Sequence, residues 1–323
     1  MLSQVAERIY WMARYLERAE NTARMITVYS HLLMDLPRRV RVGWQPLIII
    51  TGGKETYAQH YTTFSEKEVV DFLLSDVNNT SSILCAISWA RENMRTIRDI
   101  VSNEAWERVN DLYLYTKESV VENITTHRSY AILADIISRC QQITGLLAST
   151  MPHDETYDFV CLGKNLERAD MTTRIVDTGV VNTLEKTGKE HEPFGKVQWM
   201  SVLKSLDAYH AFRRYVHPQV TSRSVVSFLL QDQDFPRAIT FCLERMMDCL
   251  KRLPRKEEAF DKTEEIHQYV RTADVSTLLD DGSLHQFIDE IQVELGIVHE
   301  LTSNTWFGFD YLSQPVIGQS QSL

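Results

Sequence analysis

A glutamate and an arginine side by side on a helix can do three kinds of work. The guanidinium fork can bind a carboxylate or phosphate, the acid can hold an amine or a metal, or the two can pair with charges on other helices. This chain carries such a constellation twice. Tyr15-Leu16-Glu17-Arg18-Ala19-Glu20-Asn21-Thr22-Ala23-Arg24 returns as Asn165-Leu166-Glu167-Arg168-Ala169-Asp170-Met171-Thr172-Thr173-Arg174. The shared skeleton is Leu-Glu-Arg-Ala-acid, with an arginine four residues beyond the acid. At about 100° per residue, Glu17, Glu20 and Arg24 fall on one flank, with Glu20 and Arg24 at ion-pair spacing. Arg18 falls inside the apolar face with Trp11, Met25 and Tyr29. In the second copy Glu167, Asp170 and Arg174 share the charged flank, while Arg168 lies between Cys161 and Ile175. A guanidinium aimed into an apolar surface needs acids nearby, because an unpaired buried charge is very costly. The acids for Arg18 and Arg168 are therefore expected from other helices or from the opposite copy. Three roles stay open for these eight residues: an ion-pair network fixing helix register, a shared cleft for an acidic ligand, and direct catalysis.

Rival chemistries have thin support. A di-iron bundle needs two Glu-x-x-His motifs and two further carboxylates on facing helices. Glu264-Glu265-Ile266-His267 offers one such spacing and Asp207-Ala208-Tyr209-His210 an aspartate version. Neither has a counterpart in the first half, so no metal and no cofactor is expected. The five cysteines (Cys85, Cys140, Cys161, Cys242, Cys249) include no C-x-x-C pair, which reads as reduced, inert core thiols. There is no Gly-x-Ser-x-Gly elbow, and Gly52-Gly53-Lys54 lacks the spacing of a phosphate loop. Trp11, Tyr15, Trp44, Trp89, Trp106 and Trp199 read as core or inter-half packing.

The elements that must position the motif are helices. With 12 Gly and 8 Pro in 323 residues, breakers are scarce. Val5, Ile9, Met12, Leu16, Ala19, Ala23 and Ile26 recur at three- and four-residue steps, predicting a first helix from near Ser3 to Asp35 that ends at Pro37. Ser65 followed by Glu68 predicts a capping box opening the next amphipathic helix. Further helices are expected around 81–98, 103–122 and 128–148. No stretch alternates with period two. The fold class is all-α.

The repeat extends beyond the motif. Trp44 answers Trp199, residues 69–76 answer 225–232, Tyr115 answers Tyr269, and Leu133, Ile137, Cys140 and Leu147 answer Leu284, Ile288, Ile291 and Val298. Order is kept while the offset drifts by a few residues, which reads as a tandem duplication. The expectation is a pseudo-two-fold helical bundle with about six helices per half. Its parts are 1–150, 151–303 packed on the first, and a tail over 304–323, aromatic and then polar. The tail's aromatics are Trp306, Phe307, Phe309 and Tyr311.

A formal net charge of −10 argues against a nucleic-acid binder, which needs lysine and arginine for phosphate neutralisation. The longest aliphatic run, 47–50, is far too short to span a bilayer. With no apolar leader at the N-terminus, a cytoplasmic location is expected.

Glu7-Arg8-Ile9-Tyr10-Trp11-Met12-Ala13-Arg14, continuing through the motif to Arg24, resembles the N-terminal signature of the bacterial Alpha-E family. These are helical proteins of unknown function named for a Glu-Arg motif. The resemblance carries the motif onto Glu17, Arg18 and Glu20, and in the second half onto Glu167, Arg168 and Asp170. There Asp170 stands for a glutamate and Cys161 for Trp11. It also implies a context, since such proteins are encoded beside, or fused to, circularly permuted ATP-grasp ligases and transglutaminase-like cysteine peptidases. On that basis the chain is expected to be a non-catalytic accessory or scaffold protein, partnering those enzymes in peptide synthesis or modification. The alternative is an enzyme or ligand-binding protein using a Glu/Arg cleft between the repeats for amide-bond or metal-assisted chemistry.

Overall fold

With few glycines and prolines to interrupt it, the three-and-four apolar spacing runs into long helices. The computed structural model describes residues 3–35, 43–121, 126–184, 192–215 and 219–308, and among them there are fifteen helices and no strand. The first half of the chain gives α1 (Ser3–Asp35), α2 (Gln45–Ile50), α3 (Lys54–His60), α4 (Glu66–Leu74), α5 (Ile83–Thr96), α6 (Asn103–Val121) and α7 (Thr126–Thr150). There follow α8 (Glu155–Leu184), α9 (Glu192–Ser205), α10 (Tyr209–Tyr215), α11 (Ser222–Gln231), α12 (Ile239–Leu250), α13 (Glu257–Thr272), α14 (Val275–Asp280) and α15 (Leu284–Trp306).

Helix ends follow local chemistry. Ser65 and Glu68 close a reciprocal capping box at the start of α4, as expected, and Thr221 with Ser224 closes another at α11. Gly52, at φ 69°, makes the turn from α2 to α3 that a side chain would strain. Pro37 lies outside the described residues. The count exceeds six per half because α2, α3, α10 and α14, at six or seven residues, are too short to show a period.

α1 is the central strut. It packs against α5, α7, α8 and α9 and touches α4 and α15. Of its anticipated stripe, Ile9, Met12, Leu16, Ala19, Ala23 and Ile26 are buried and Val5 is half-buried. The crossing with α8 is close enough to require a glycine: a Cβ on Gly163 would lie 2.4 Å from the Tyr10 carbonyl oxygen. One expectation needs correction. Trp89 is 51% exposed, and so belongs to the surface rather than the core. α15 continues to Trp306, three residues into the expected tail; the Trp306 indole donates to the Pro254 carbonyl, and Phe307 packs on Tyr10 and Phe159. Phe309 and Tyr311 lie outside the described residues.

Among the described residues no helix is long and apolar enough to cross a membrane.

Candidate functional site

Glu17 and Arg18 sit midway along α1, and Glu167 and Arg168 midway along α8, where the two helices cross. The dipeptides exchange partners across that crossing. Arg18 donates through Nε and Nη2 to the two carboxylate oxygens of Glu167, at 2.5 and 3.0 Å. Arg168 donates through Nε and Nη2 to the two oxygens of Glu17, both at 2.8 Å. Each is a fork-on-carboxylate pair, the geometry in which arginine binds most firmly.

Further donors complete both acids. Arg14 adds a bond to Glu167 Oε2 at 2.8 Å. Arg237, in the turn before α12, donates to Glu17 Oε1 at 2.9 Å and to Asn21 Oδ1, and it also reaches Glu20 Oε1 at 2.8 Å. Glu20 receives Arg24 at 2.8 Å from one turn on, and Gln141 from α7 at 3.3 Å. In the second copy Arg174 binds Asp170 at 2.9 Å, the same one-turn pair.

The carboxylates lie deepest. Glu17 is 3% exposed and Glu167 1%, whereas the Arg168 and Arg18 side chains are 12% and 21% exposed. The acids of the charged flank thus lie deeper than the arginines of the apolar face, because helices cover α1 on most sides and turn that flank inward as well. Burial alone would favour the protonated acid. The guanidiniums of Arg168 and Arg237 outweigh it at Glu17, and those of Arg18 and Arg14 at Glu167, holding each carboxyl at about 2. Both are ionised at neutral pH.

Spacing pointed to neither Arg237, which follows Pro236 in a turn, nor Asn21. Arg14 belongs to the α1 run and stacks over Trp11 at 4.9 Å, as Arg18 does over Tyr15 at 5.7 Å. Beside the motif, Leu16, Glu17, Thr144, Val160 and Lys164 line a cavity of about 10 Å³, at the threshold for one water molecule.

The rival histidines do not assemble. His267 is buried and lies 3.2 Å from Glu244 of α12, while Glu264 points to solvent. Asp207 stands in a turn at φ 54°, outside any helix, so its spacing to His210 is not a helical turn. A grouping that spacing could not reveal does form, in which Asp177 of α8 meets His285 and Asp289 of α15 with ligand atoms within 4.8 Å of one another. Only His285 and Asp289, four residues apart, leave a trace in sequence. The imidazole lies between the carboxylates, 2.6 Å from Asp177 and 3.6 Å from Asp289, so the three groups already satisfy one another as an ion pair.

The thiols divide. Cys140 and Cys242 are buried, and burial pushes the Cys242 thiol up to about 12. Cys249 is buried too, whereas Cys161 on α8 and Cys85 on α5 are half-buried, which corrects the reading of all five as core thiols.

An all-helical protein whose two central helices are clasped by reciprocal Glu-Arg forks is the class these features define. The chain belongs to the Alpha-E family, described as a predicted alpha-helical domain with a conserved ER motif, whose model matches residues 1–307. It is similar to uncharacterized proteins of Mycobacterium bovis and Mycobacterium tuberculosis, each 22% identical over 274 residues. The match covers 78% of this chain and 30% of each relative, so the chain spans less than a third of the length of these curated relatives. No solved structure matches it.

Proposed function

We propose that this chain is a non-catalytic scaffold in which the Glu-Arg motif is a structural clasp. The observation that carries this reading is the reciprocal pairing. Glu17, Arg18, Glu167 and Arg168 use their charged atoms on one another, and the adjoining cavity is too small for a substrate. A catalytic acid would need a free oxygen and room beside it.

We further read the chain as a tandem duplication, 1–150 and 151–303, folded as a pseudo-two-fold bundle. Three paired features support this. The motif exchange is reciprocal, the capping boxes at Ser65 and Thr221 open helices of corresponding sequence, and Tyr115 donates to Asp135 as Tyr269 does to Glu290. On the family resemblance, the partners are an ATP-grasp ligase and a transglutaminase-like peptidase acting in peptide synthesis or modification in the cytoplasm. The matched stretch fills 30% of the mycobacterial relatives, which is in keeping with a module that works beside other domains.

One observation favours the alternative, an acidic-ligand site. In the described network six guanidiniums (Arg14, Arg18, Arg24, Arg168, Arg174, Arg237) face five carboxylates (Glu17, Glu20, Glu167, Asp170 and the exposed Asp207), and the Arg24 Nε is buried without a partner.

A pull-down of the tagged chain from native lysate, read by mass spectrometry, tests the scaffold reading. Recovery of an ATP-grasp or transglutaminase-like protein at near-stoichiometric level is expected. Recovery of the chain alone, together with saturable binding of a small dicarboxylate or phosphate lost in Arg18→Ala, would overturn it in favour of the ligand site.

A further inference from the structure

α8 and α12 pack together, and bonds at two points fix their register. Near the start of α8, Asp158 takes a two-pronged pair from Arg252, just past the end of α12, with Arg252 Nε 2.9 and 3.1 Å from the carboxylate oxygens. Fourteen residues on in α8, the Thr172 hydroxyl donates to the Arg237 carbonyl, fifteen residues back from Arg252 and just before α12. The helices therefore run antiparallel. Cys161, one turn on from Asp158, comes opposite Cys249, one turn back from Arg252. The register thus brings the two thiols close enough for each to act on the other's proton. Cys249 is buried, whereas Cys161 is half-buried and within reach of a small solute. The first copy of the motif has Trp11 in the place of Cys161, so the thiol pair belongs to the second copy alone.

We propose that Cys161 and Cys249 form a redox-active dithiol that a hydroperoxide closes to an intramolecular disulfide joining α8 to α12.

The surroundings divide the labour between the two sulfurs. Cys161 faces Tyr157, Asp158 and Lys164 on its own helix, and Cys249 and Arg252 from the other side. The nearby Cys249 thiol is the largest influence, and with the Lys164 ammonium and the Tyr157 hydroxyl it outweighs burial and Asp158, bringing the Cys161 thiol down to about 6. Cys249 is driven up by the same contact and by burial, and keeps its proton. Cys161 is thus the attacking thiolate and Cys249 the resolving thiol.

Two displacements complete the chemistry. The Cys161 thiolate attacks one oxygen of the hydroperoxide, so that an S–O bond forms, the O–O bond breaks, and the other oxygen leaves as the alcohol, or as water from hydrogen peroxide, after taking a proton. Cys249 then loses its proton and attacks the Cys161 sulfenic sulfur; the S–S bond forms, the S–O bond breaks and water leaves. Two thiols give up two electrons, and the hydroperoxide takes them.

The test uses the reduced full-length chain with hydrogen peroxide at neutral pH, followed by non-reducing mass spectrometry and peptide mapping. Loss of two of the five thiols per chain is expected, with Cys161 and Cys249 recovered in one linked peptide. Cys249→Ser should stop at a sulfenic acid on Cys161 that dimedone traps, and Cys161→Ser should slow thiol loss at least about tenfold. Alkylation of wild-type Cys161 by iodoacetamide should reach half its limiting rate near pH 6. Circular dichroism establishes that both serine variants are folded, and the wild-type mapping and alkylation stand without them. Disulfides only between chains, equal oxidation of Cys85 and Cys161, or an alkylation midpoint in the ordinary thiol range would each overturn the proposal.

Discussion

Removing the Glu17 carboxylate measures what the clasp contributes. Glu17→Ala leaves two buried guanidiniums, Arg168 and Arg237, without their main acceptor. Breaking a buried pair by deleting one partner costs about 3–5 kcal/mol. The proton equilibrium gives a second route to the same size. A carboxyl held at about 2 rather than 4.5 is stabilised in its ionised form by about 3 kcal/mol, at about 1.4 kcal/mol per pH unit. Unfolding entropy of about 2 cal/mol/K per residue over 323 residues converts a loss of about 4 kcal/mol into a fall in Tm of about 6 °C. Arg168→Ala should cost less, about 3 kcal/mol, because Arg237 still serves Glu17. The double variant should fall short of the sum of the two by about 1–3 kcal/mol. The sign with pH follows from the lowered value. The stabilisation is fully present above the unfolded carboxyl's 4.5 and is lost as pH falls toward 2, so Glu17→Gln should flatten the acid limb of stability in that window. Thermal melts and chemical denaturation followed by tryptophan fluorescence, run from pH 7 to pH 2.5, read all of this. A Glu17→Ala Tm within about 1 °C of wild type, or an unchanged acid limb in Glu17→Gln, would refute the reasoning.

Three further outcomes are expected. Arg18→Ala should cost about 2 kcal/mol by the same melt, less than Arg168→Ala, because Arg14 also holds Glu167 and Arg18 is the more exposed partner. Gly163→Ala forces a methyl onto the Tyr10 carbonyl and should cost about 1–3 kcal/mol, whereas Gly145→Ala, with open space around its Cβ in α7, should gain up to about 1 kcal/mol. His285 accepts its proton more readily than an ordinary imidazole because Asp177 bonds to it; its contribution is fully present below 6.5 and is lost as pH rises through the raised value, and Asp177→Asn should return its NMR titration toward 6.5.

The helices were legible where the period had room to repeat. The span of α1, the Ser65 capping box and the cores of α5, α6 and α7 follow from apolar spacing and cap chemistry, both local properties of the chain. The need of Arg18 and Arg168 for acids from elsewhere was also legible, since it follows from charge on an apolar face. The depth of the two acids was not legible, because a helical wheel describes one helix and is silent on how many neighbours surround it. Arg237, the antiparallel register that joins Cys161 to Cys249, and the meeting of Asp177 with His285 are products of tertiary packing across long sequence separations. No local pattern encodes them.

The clasp also orders events in time. Arg18 is synthesised long before Glu167, and at about 5–20 residues per second the intervening stretch takes roughly 7–30 s to be made. Throughout that interval Glu17 has Asn21 one turn on, but neither it nor Arg18 has its partner from α8, and burying them would be costly. α5 and α7 can pack on α1 meanwhile, so the crossing is expected to seal last. Trypsin should cut chains stalled short of residue 167 after Arg18, and should cease to do so once α8 has emerged.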